Sequence, residues 1–348
     1  MPHCNVPVFI PHLGCPNQCV FCNQHSISGC NEFRLSEVRE QIDRTLATIP
    51  LENDVEIAFF GGSFTGIDRA LMIDLLNLAQ EYVVKGRVGS IRLSTRPDYI
   101  NDEILEILSR YAVKTIELGL QSMDDGVLLA TERGHTSEQA RRACRAVTRA
   151  GFSLVGQMMI GLPESDLQKE LATAREIASL GASAARIYPT VVFRDTPLGQ
   201  MTEQGVYRAL SVEEAVRRSA EVLRIFVQRQ IPCIRIGLCA GESLTSPRDV
   251  VAGPNHPALG ELVWSAFYYE EIKNAIGRAG LAGRDVLLRV PKGLESKIAG
   301  QKRHNIEQIK RETDTRICKI VGDRTCAEIV VEPWCAGKKQ QEDKRPCI

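Results

Sequence analysis

An α/β fold built on a parallel sheet is what this 348-residue sequence predicts, on three observations. Short apolar, β-branched runs recur between amphipathic helical patterns. Capping residues mark the helix ends, and polar, glycine-containing stretches fall where strands would stop. The candidate strands are VPVFI (6–10), VEIAFF (55–60), SIRLS (90–94), KTIELGL (114–120), SLVGQMMI (153–160) and AARIYPT (184–190). Helical patterns lie between them at 35–49, 70–83, 101–111, 136–151 and 164–181, and a further helix at 212–230 precedes a candidate edge strand at 232–237. Asn101 and Thr136 read as N-caps, and Gly151 and Gly181 as helix stops. Strand–helix alternation implies right-handed crossovers, and six such units suffice for a partial TIM-like (β/α)6 barrel. In such barrels ligands bind at the carboxy ends of the strands, here GGSFT (61–65), STRPD (94–98), QS (121–122), GLP (161–163) and RDT (194–196).

Composition narrows the class. Lys and Arg total 43, as do Asp and Glu, so net charge points to neither nucleic acid nor membrane. Its distribution says more: residues 284–325 hold 11 Lys/Arg against 6 Asp/Glu, whereas the first 283 residues hold 28 against 33. A Gly/Ala-rich hinge, AIGRAGLAGRD (275–285), separates this basic segment from the barrel. The expected domains are therefore 1–282, a barrel; 283–332, a basic module; and 333–348, a disordered tail. No apolar run reaches the roughly 18 residues of a membrane span, and the amino terminus lacks the charge-then-apolar order of an export signal. With 12 cysteines in a chain of this kind, a reducing cytoplasm and metal or redox chemistry are the expectation.

Three of those cysteines, Cys15, Cys19 and Cys22, fall within CPNQCVFC. Single free cysteines are commonly core, but a loop carrying Pro16 and Asn17 is poor core material. A zinc site would want a fourth ligand, for which Cys4 or Cys30 is available. An iron–sulfur cluster held by three thiolates would instead leave one iron open to another molecule. The spacing C-x3-C-x2-C, with the aromatic Phe21 before the last Cys, resembles the signature of radical S-adenosylmethionine (SAM) enzymes. Residues 9–29, 59–67, 94–100, 116–123, RGHT (133–136), GLP (161–163) and 187–192 together resemble the radical SAM core of the Elongator catalytic-subunit family. The resemblance covers roughly residues 6 to 265. It implies a [4Fe-4S] cluster on Cys15, Cys19 and Cys22, the fourth iron being chelated by SAM, and reductive cleavage of SAM to a 5′-deoxyadenosyl radical.

It also implies roles for the strand ends. Gly61 and Gly62 would bring backbone groups close to SAM, although a tight turn explains a glycine pair equally well. Ser63 would stand near the SAM amino group, and Gln121 and Ser122 near its ribose and carboxylate. Gln157, Met159 and Ile160 would flank SAM and its adenine, with core packing the alternative for the apolar pair. Arg96 is a candidate for a carboxylate or an RNA phosphate, and Tyr188 for the substrate. His12, His25, His135 and His256 read as loop braces, since none pairs at ligand spacing; Cys326, Cys335 and Cys347 are too irregular for a second cluster.

The basic segment carries Ile298, Ile306 and Ile309 around Gly300, an order that resembles the K-homology RNA-binding module. Its G-x-x-G clamp would be Gly300-Gln301-Lys302-Arg303, with Arg303 in place of the second glycine, so Lys302 and Arg303 would offer charge to phosphates. The alternative is a small α/β cap with a solvated basic face. The Elongator subunit carries an acetyltransferase domain and an amino-terminal tRNA-binding segment for which this chain offers no counterpart. Its wobble-uridine chemistry is therefore not carried over. The expected function is a radical SAM enzyme modifying RNA, with tRNA first, and using a one-electron donor such as flavodoxin or ferredoxin. A small-molecule or peptide substrate, or a non-enzymatic iron–sulfur or zinc RNA-binding protein, are the alternatives.

Overall fold

The structure, a computed structural model, describes residues 3–10, 15, 19–22, 34–238 and 249–334. The chain divides into two compact units, 1–260 and 261–348.

The first unit contains β1 (His3–Ile10), α1 (Leu35–Ala47), β2 (Asp54–Gly61), α2 (Arg69–Val84), β3 (Ser90–Thr95), α3 (Asp102–Ser109) and β4 (Val113–Gln121). It continues with α4 (Asp125–Ala130), α5 (Ser137–Arg149), β5 (Ser153–Ile160), α6 (Leu167–Ser179), β6 (Ala184–Pro189) and β7 (Val192–Phe193). It ends with α7 (Pro197–Glu203), α8 (Val212–Gln228), β8 (Cys233–Ile236) and β9 (Val250–Ala252). Seven strands form one sheet in the order β1-β2-β3-β4-β5-β6-β8, every pair parallel. The caps expected from sequence are in place: Asn101 accepts from the Ile104 amide, and Thr136 forms a reciprocal capping box with Gln139. Gly151 and Gly181 end their helices at φ 84° and 83°, backbone that other residues adopt at a cost.

Strand alternation sorts the sheet into two faces. On β5, Gly156 faces Ile177 of α6, so Leu154, Met158 and Ile160 share the helix-covered side. Each such fully buried aliphatic side chain contributes about 1.5–3 kcal/mol. The opposite face carries Glu56, Phe60, Arg92, Glu117, Gln121, Gln157, Met159, Arg186 and Tyr188, tied together by register (Ser94 beside Glu117, Gln157 beside Arg186, Met159 beside Tyr188). The Arg186 guanidinium lies 5.1 Å from the centre of the Phe60 ring. β2 and β6 are four places apart, about 19 Å in a flat sheet. The contact therefore requires the sheet to curl into a half-barrel with this polar face inside, which is the partial TIM-like fold expected.

The second unit comprises most of α9 (Leu259–Ala279), then β10 (Asp285–Pro291), α10 (Glu295–Ala299), α11 (His304–Thr313), β11 (Arg316–Asp323) and β12 (Val330–Pro333). Its sheet runs β11-β10-β12, with β10 parallel to β11 and antiparallel to β12. Ile298, Ile306 and Ile309 are all buried, as their spacing implied. Two features of the sequence reading change. The stretch 275–285 is not a hinge throughout, because α9 continues to Ala279 with Ile276 buried. The segment from Glu261 to residue 282, expected within the barrel domain, groups instead with the later unit: the Asn305 side-chain amide donates to the carbonyls of Ser265 (2.9 Å) and Ile298 (3.1 Å). The expected tail, from Cys335, lies outside the described residues.

Between α10 and α11 the chain turns through Gly300, Lys302 and Arg303, all at positive φ (74°, 49° and 62°). Gly300, at φ 74° and ψ 167°, holds backbone that essentially only glycine adopts, and a Cβ there would also press on Asn305 and Ser265 at 3.0 Å. Arg303 occupies the left-handed region without that freedom, at a cost of about 1 kcal/mol. Arg303→Gly is therefore expected to raise the stability of the second unit by roughly 0.5–1 kcal/mol, read as a higher urea midpoint for its transition.

Candidate active site

The three cysteines occupy the loop after β1, at the carboxy-terminal rim of the half-barrel. Backbone hydrogen bonds seat this loop from two distant places: the Val20 amide donates to Thr131 (3.2 Å) and the Leu198 amide to the Val20 carbonyl (2.8 Å). Phe21, expected beside the cofactor, packs half-buried against the apolar cluster of Val20, Val192 and Leu198, which fixes the loop's underside. The Cys22 amide donates to the Cys19 carbonyl at 2.9 Å, a tight turn that brings these two residues round. The Cys15 sulfur lies 3.5 Å from the hydroxyl of Ser63, which is 2% exposed at the end of β2. The Cys19 sulfur accepts from Arg133 Nη1 (3.3 Å) and, more distantly, from Arg96 Nη1 (3.9 Å). Among the described residues, no three His, Cys, Asp or Glu side chains are already gathered as a metal site.

Gly61 has a structural duty. A Cβ there, at φ 107°, would come within 2.3 Å of the Ile10 carbonyl, and the Gly62 amide donates to that same oxygen (3.1 Å). The pair thus lets β1 and β2 end side by side and aims the cysteine loop.

Gln121 ends β4 in the left-handed region (φ 65°), after a register shift between Gly119 and Gln121. That twist turns its side chain to meet Gln157, whose Nε2 donates to Gln121 Oε1 at 3.3 Å. These two predicted residues are brought together on the inner face. Ser122 is buried, its hydroxyl accepting from the Asp124 amide (3.1 Å). Met159 shares the inner face with Gln157. Ile160 does not: strand alternation turns it to the helix side, where it is fully buried, so it is core rather than a cofactor contact.

Of the two partners expected for Arg96, the structure supplies the carboxylate: the residue is 2% exposed, and its guanidinium binds Asp98 (2.9 Å) and the Arg133 carbonyl, which closes it to an RNA phosphate. Tyr188 lies on the inner face and accepts from Arg186 Nη1 (3.0 Å); burial raises its pKa. Arg186 pairs with Glu117 (3.0 Å) and Arg92 with Glu56 (3.0 Å), so charges inside the half-barrel come in pairs. Burial raises the Glu117 pKa against the pull of Arg186 and Arg92. After β5, the Gly161 amide donates to Glu170 (2.7 Å), itself paired with Arg218, and the Tyr207 hydroxyl donates to the Gly161 carbonyl. The GLP turn is thereby pinned beside a pocket of about 240 Å³.

Of the other candidates, Cys4 accepts from Asn53 (3.3 Å) and His256 accepts from the Ala258 amide (3.1 Å), a loop brace as expected. Cys30, His12 and His25 lie outside the described residues. His135 is buried behind Arg133, 3.9 Å from Asp98. Burial, then the Arg133 charge, push its pKa down to about 3, so it is neutral in the fold. The unfolded chain binds that proton near pH 6.5, so this residue costs stability as pH falls from about 6.5 towards 3. His135→Gln should flatten that dependence. Between pH 6.5 and 4.5 the wild type should lose roughly 1–2 kcal/mol more than the variant, measured by urea unfolding at each pH.

Comparison with known proteins agrees with this geometry. Residues 9–176 match the family model "Radical SAM superfamily", and 182–268 match "Radical_SAM C-terminal domain". An uncharacterized protein of Methanocaldococcus jannaschii is 28% identical over 61% of this chain and 68% of its own length. Elongator complex protein 3 of Saccharomyces cerevisiae is 31% identical over 50% of this chain, but that span is 32% of the yeast protein. The tRNA uridine(34) acetyltransferase of M. jannaschii is 24% identical over 64% of this chain and 43% of its own length. The chain thus spans under half of the length of each of those last two proteins. In fold, it is similar to the archaeal Elp3 of Methanocaldococcus infernus, with a TM-score of 0.58 over 81% of this chain and 66% of that one at 19% identity. With the thiols of CPNQCVFC on the rim of a parallel half-barrel and two family models covering consecutive stretches of it, the chain belongs to the radical SAM superfamily, whose cofactors are a [4Fe-4S] cluster and SAM, and is homologous to Elongator complex protein 3.

Proposed function

We propose that this radical SAM enzyme modifies RNA, tRNA being the first candidate, in the reducing cytoplasm. The observation that carries the enzymatic half is the cysteine loop. Cys15 lies against Ser63 and Cys19 against two buried guanidiniums, with the Gln121–Gln157 pair on the inner face below the same rim. Cys15, Cys19 and Cys22 would hold the cluster, and Ser63, Gln121, Ser122, Gln157 and Met159 would receive SAM. When bound, these groups supply one-electron cleavage of SAM to methionine and, after hydrogen abstraction, 5′-deoxyadenosine. Flavodoxin or ferredoxin would supply the electron.

For the RNA half, the support is the exposed α10–α11 turn. Lys302 and Arg303 make no ion pair there among the described residues, and a helix–turn–helix lies between two parallel strands, a setting suited to gripping a phosphate backbone. The similarity to the tRNA uridine(34) acetyltransferase of M. jannaschii points to tRNA as well. A small-molecule or peptide substrate is the competing reading.

Protein reconstituted anaerobically should hold four irons and convert SAM to methionine and 5′-deoxyadenosine. Alanine at Cys15, Cys19 or Cys22 should abolish both, and alanine at Cys326 neither. Stoichiometric zinc without iron would refute the cluster assignment.

RNA binding should be mainly electrostatic, with affinity for tRNA falling steeply between 50 and 200 mM salt. Lys302→Glu with Arg303→Glu should weaken it by about 1–2 kcal/mol in a filter-binding titration, leaving iron content unchanged. Salt-insensitive or absent tRNA binding would favour the small-molecule reading.

A further inference from the structure

Arg133 is the residue that composition and motif left without a task. It is 6% exposed, and the structure gives each end of its guanidinium a different neighbour: Nη1 donates to Cys19 Sγ (3.3 Å) and Nη2 to the Gly119 carbonyl (2.7 Å). Its Nε is buried with no partner among the described residues. The sheet makes room for it. A Cβ on Gly119 would stand 3.1 Å from Arg133 Nη2 and 2.9 Å from Gln121 Nε2, so the gap left by that glycine is where the guanidinium sits.

The electrostatic balance behind Cys19 is uneven. Arg96 is paired with Asp98, and His135 is held neutral. No carboxylate pairs with Arg133 among the described residues, which leaves one net positive charge in a buried site. Such a charge is costly unless an anion sits against it. A [4Fe-4S]2+ cluster on three thiolates carries a net charge of −1, and accepting one electron takes it to −2. A fixed guanidinium that donates to a cluster thiolate stabilises the more negative form.

We propose that Arg133 sets the reduction potential of the cluster, raising it through its charge and its N–H bond to the Cys19 sulfur. The inference rests on the cluster assignment above. Arg133 is a tuning residue here, acting on a ligand of the cluster rather than on substrate.

The test is a redox titration of the reconstituted protein without SAM, following the reduced cluster by electron paramagnetic resonance, with iron content and SAM affinity measured in parallel. Arg133→Met should retain four irons and shift the midpoint to a more negative value. At a fixed ambient potential the reduced-to-oxidised ratio should fall about tenfold, equivalent to about 59 mV for a one-electron couple. Arg133→Lys keeps the charge but not the fork and should shift less. Gly119→Ala, which crowds the guanidinium without removing it, should also move the midpoint down by a smaller amount. Iron-loaded variants with an unmoved midpoint overturn the proposal, and so does lost SAM affinity at constant midpoint, which would make Arg133 a SAM ligand instead. If Arg133→Met fails to load iron, the lysine and Gly119→Ala variants decide by the same criteria. Wild-type protein without iron would overturn the cluster assignment, and this inference with it.

Discussion

Seven strands running in one direction decide where everything else can be. Parallel pairing sends each chain reversal through a helix on the outside, so all seven carboxy ends meet on one rim. Loops gathered there come from points as far apart in sequence as Cys15, Ser63, Gln121 and Gly161. The Gly61–Gly62 step is where this constraint is tightest: β1 and β2 end so close together that only a missing side chain lets the Ile10 carbonyl pass. A residue of any other kind at position 61 would disturb the seat of the cysteine loop before it disturbed a ligand.

Curling the sheet puts its second face to use. A flat parallel sheet is covered by apolar layers on both sides, whereas this one encloses Glu56, Arg92, Glu117, Arg186 and Tyr188 on the concave face. Each carboxylate there has a guanidinium partner, and the Arg186 cation also rests on the Phe60 ring. Removing one member of such a pair would leave its partner charged and desolvated, so these residues hold the inner wall as a set. The wall is therefore polar without being free to collapse inward.

Most of the barrel was legible from sequence because long elements carry a period. Strands β1 to β6 and the longer helices between them were located to within a few residues, and the cap residues Asn101 and Thr136 do what their chemistry implied. The short helices α4 and α7 were missed, since six or seven residues cannot display a helical repeat. Helix α9 was masked by Gly277 and by aromatic residues around most of its circumference. Within the site, the thiols were evident from spacing, and Gln121 and Gln157 from strand position. Ile160 was misassigned because one step along a strand reverses the face. For Arg96 the sequence left a carboxylate and an RNA phosphate as equal partners, since an arginine after a strand gives no sign of burial. Arg133 was visible within RGHT but carried no assigned role, because its burial cannot be read from the sequence around it. The available clue was Gly119, a glycine inside an otherwise bulky strand, which signals that something approaches the backbone closely.

The two hydrogen bonds of Val20 carry an implication for how the protein matures. Its partners, Thr131 and Leu198, are made long after the cysteines have left the ribosome. The loop has no seat until the end of α4 and the start of α7 exist, so the thiols emerge early and are fixed late. Before those segments exist the thiols lack the two backbone bonds that seat them, and only the completed half-barrel supplies both. Metal choice for this chain is thus partly a matter of timing: delivery that waits for residue 198 meets a site with a shape, while delivery that does not meets only three sulfurs on a string.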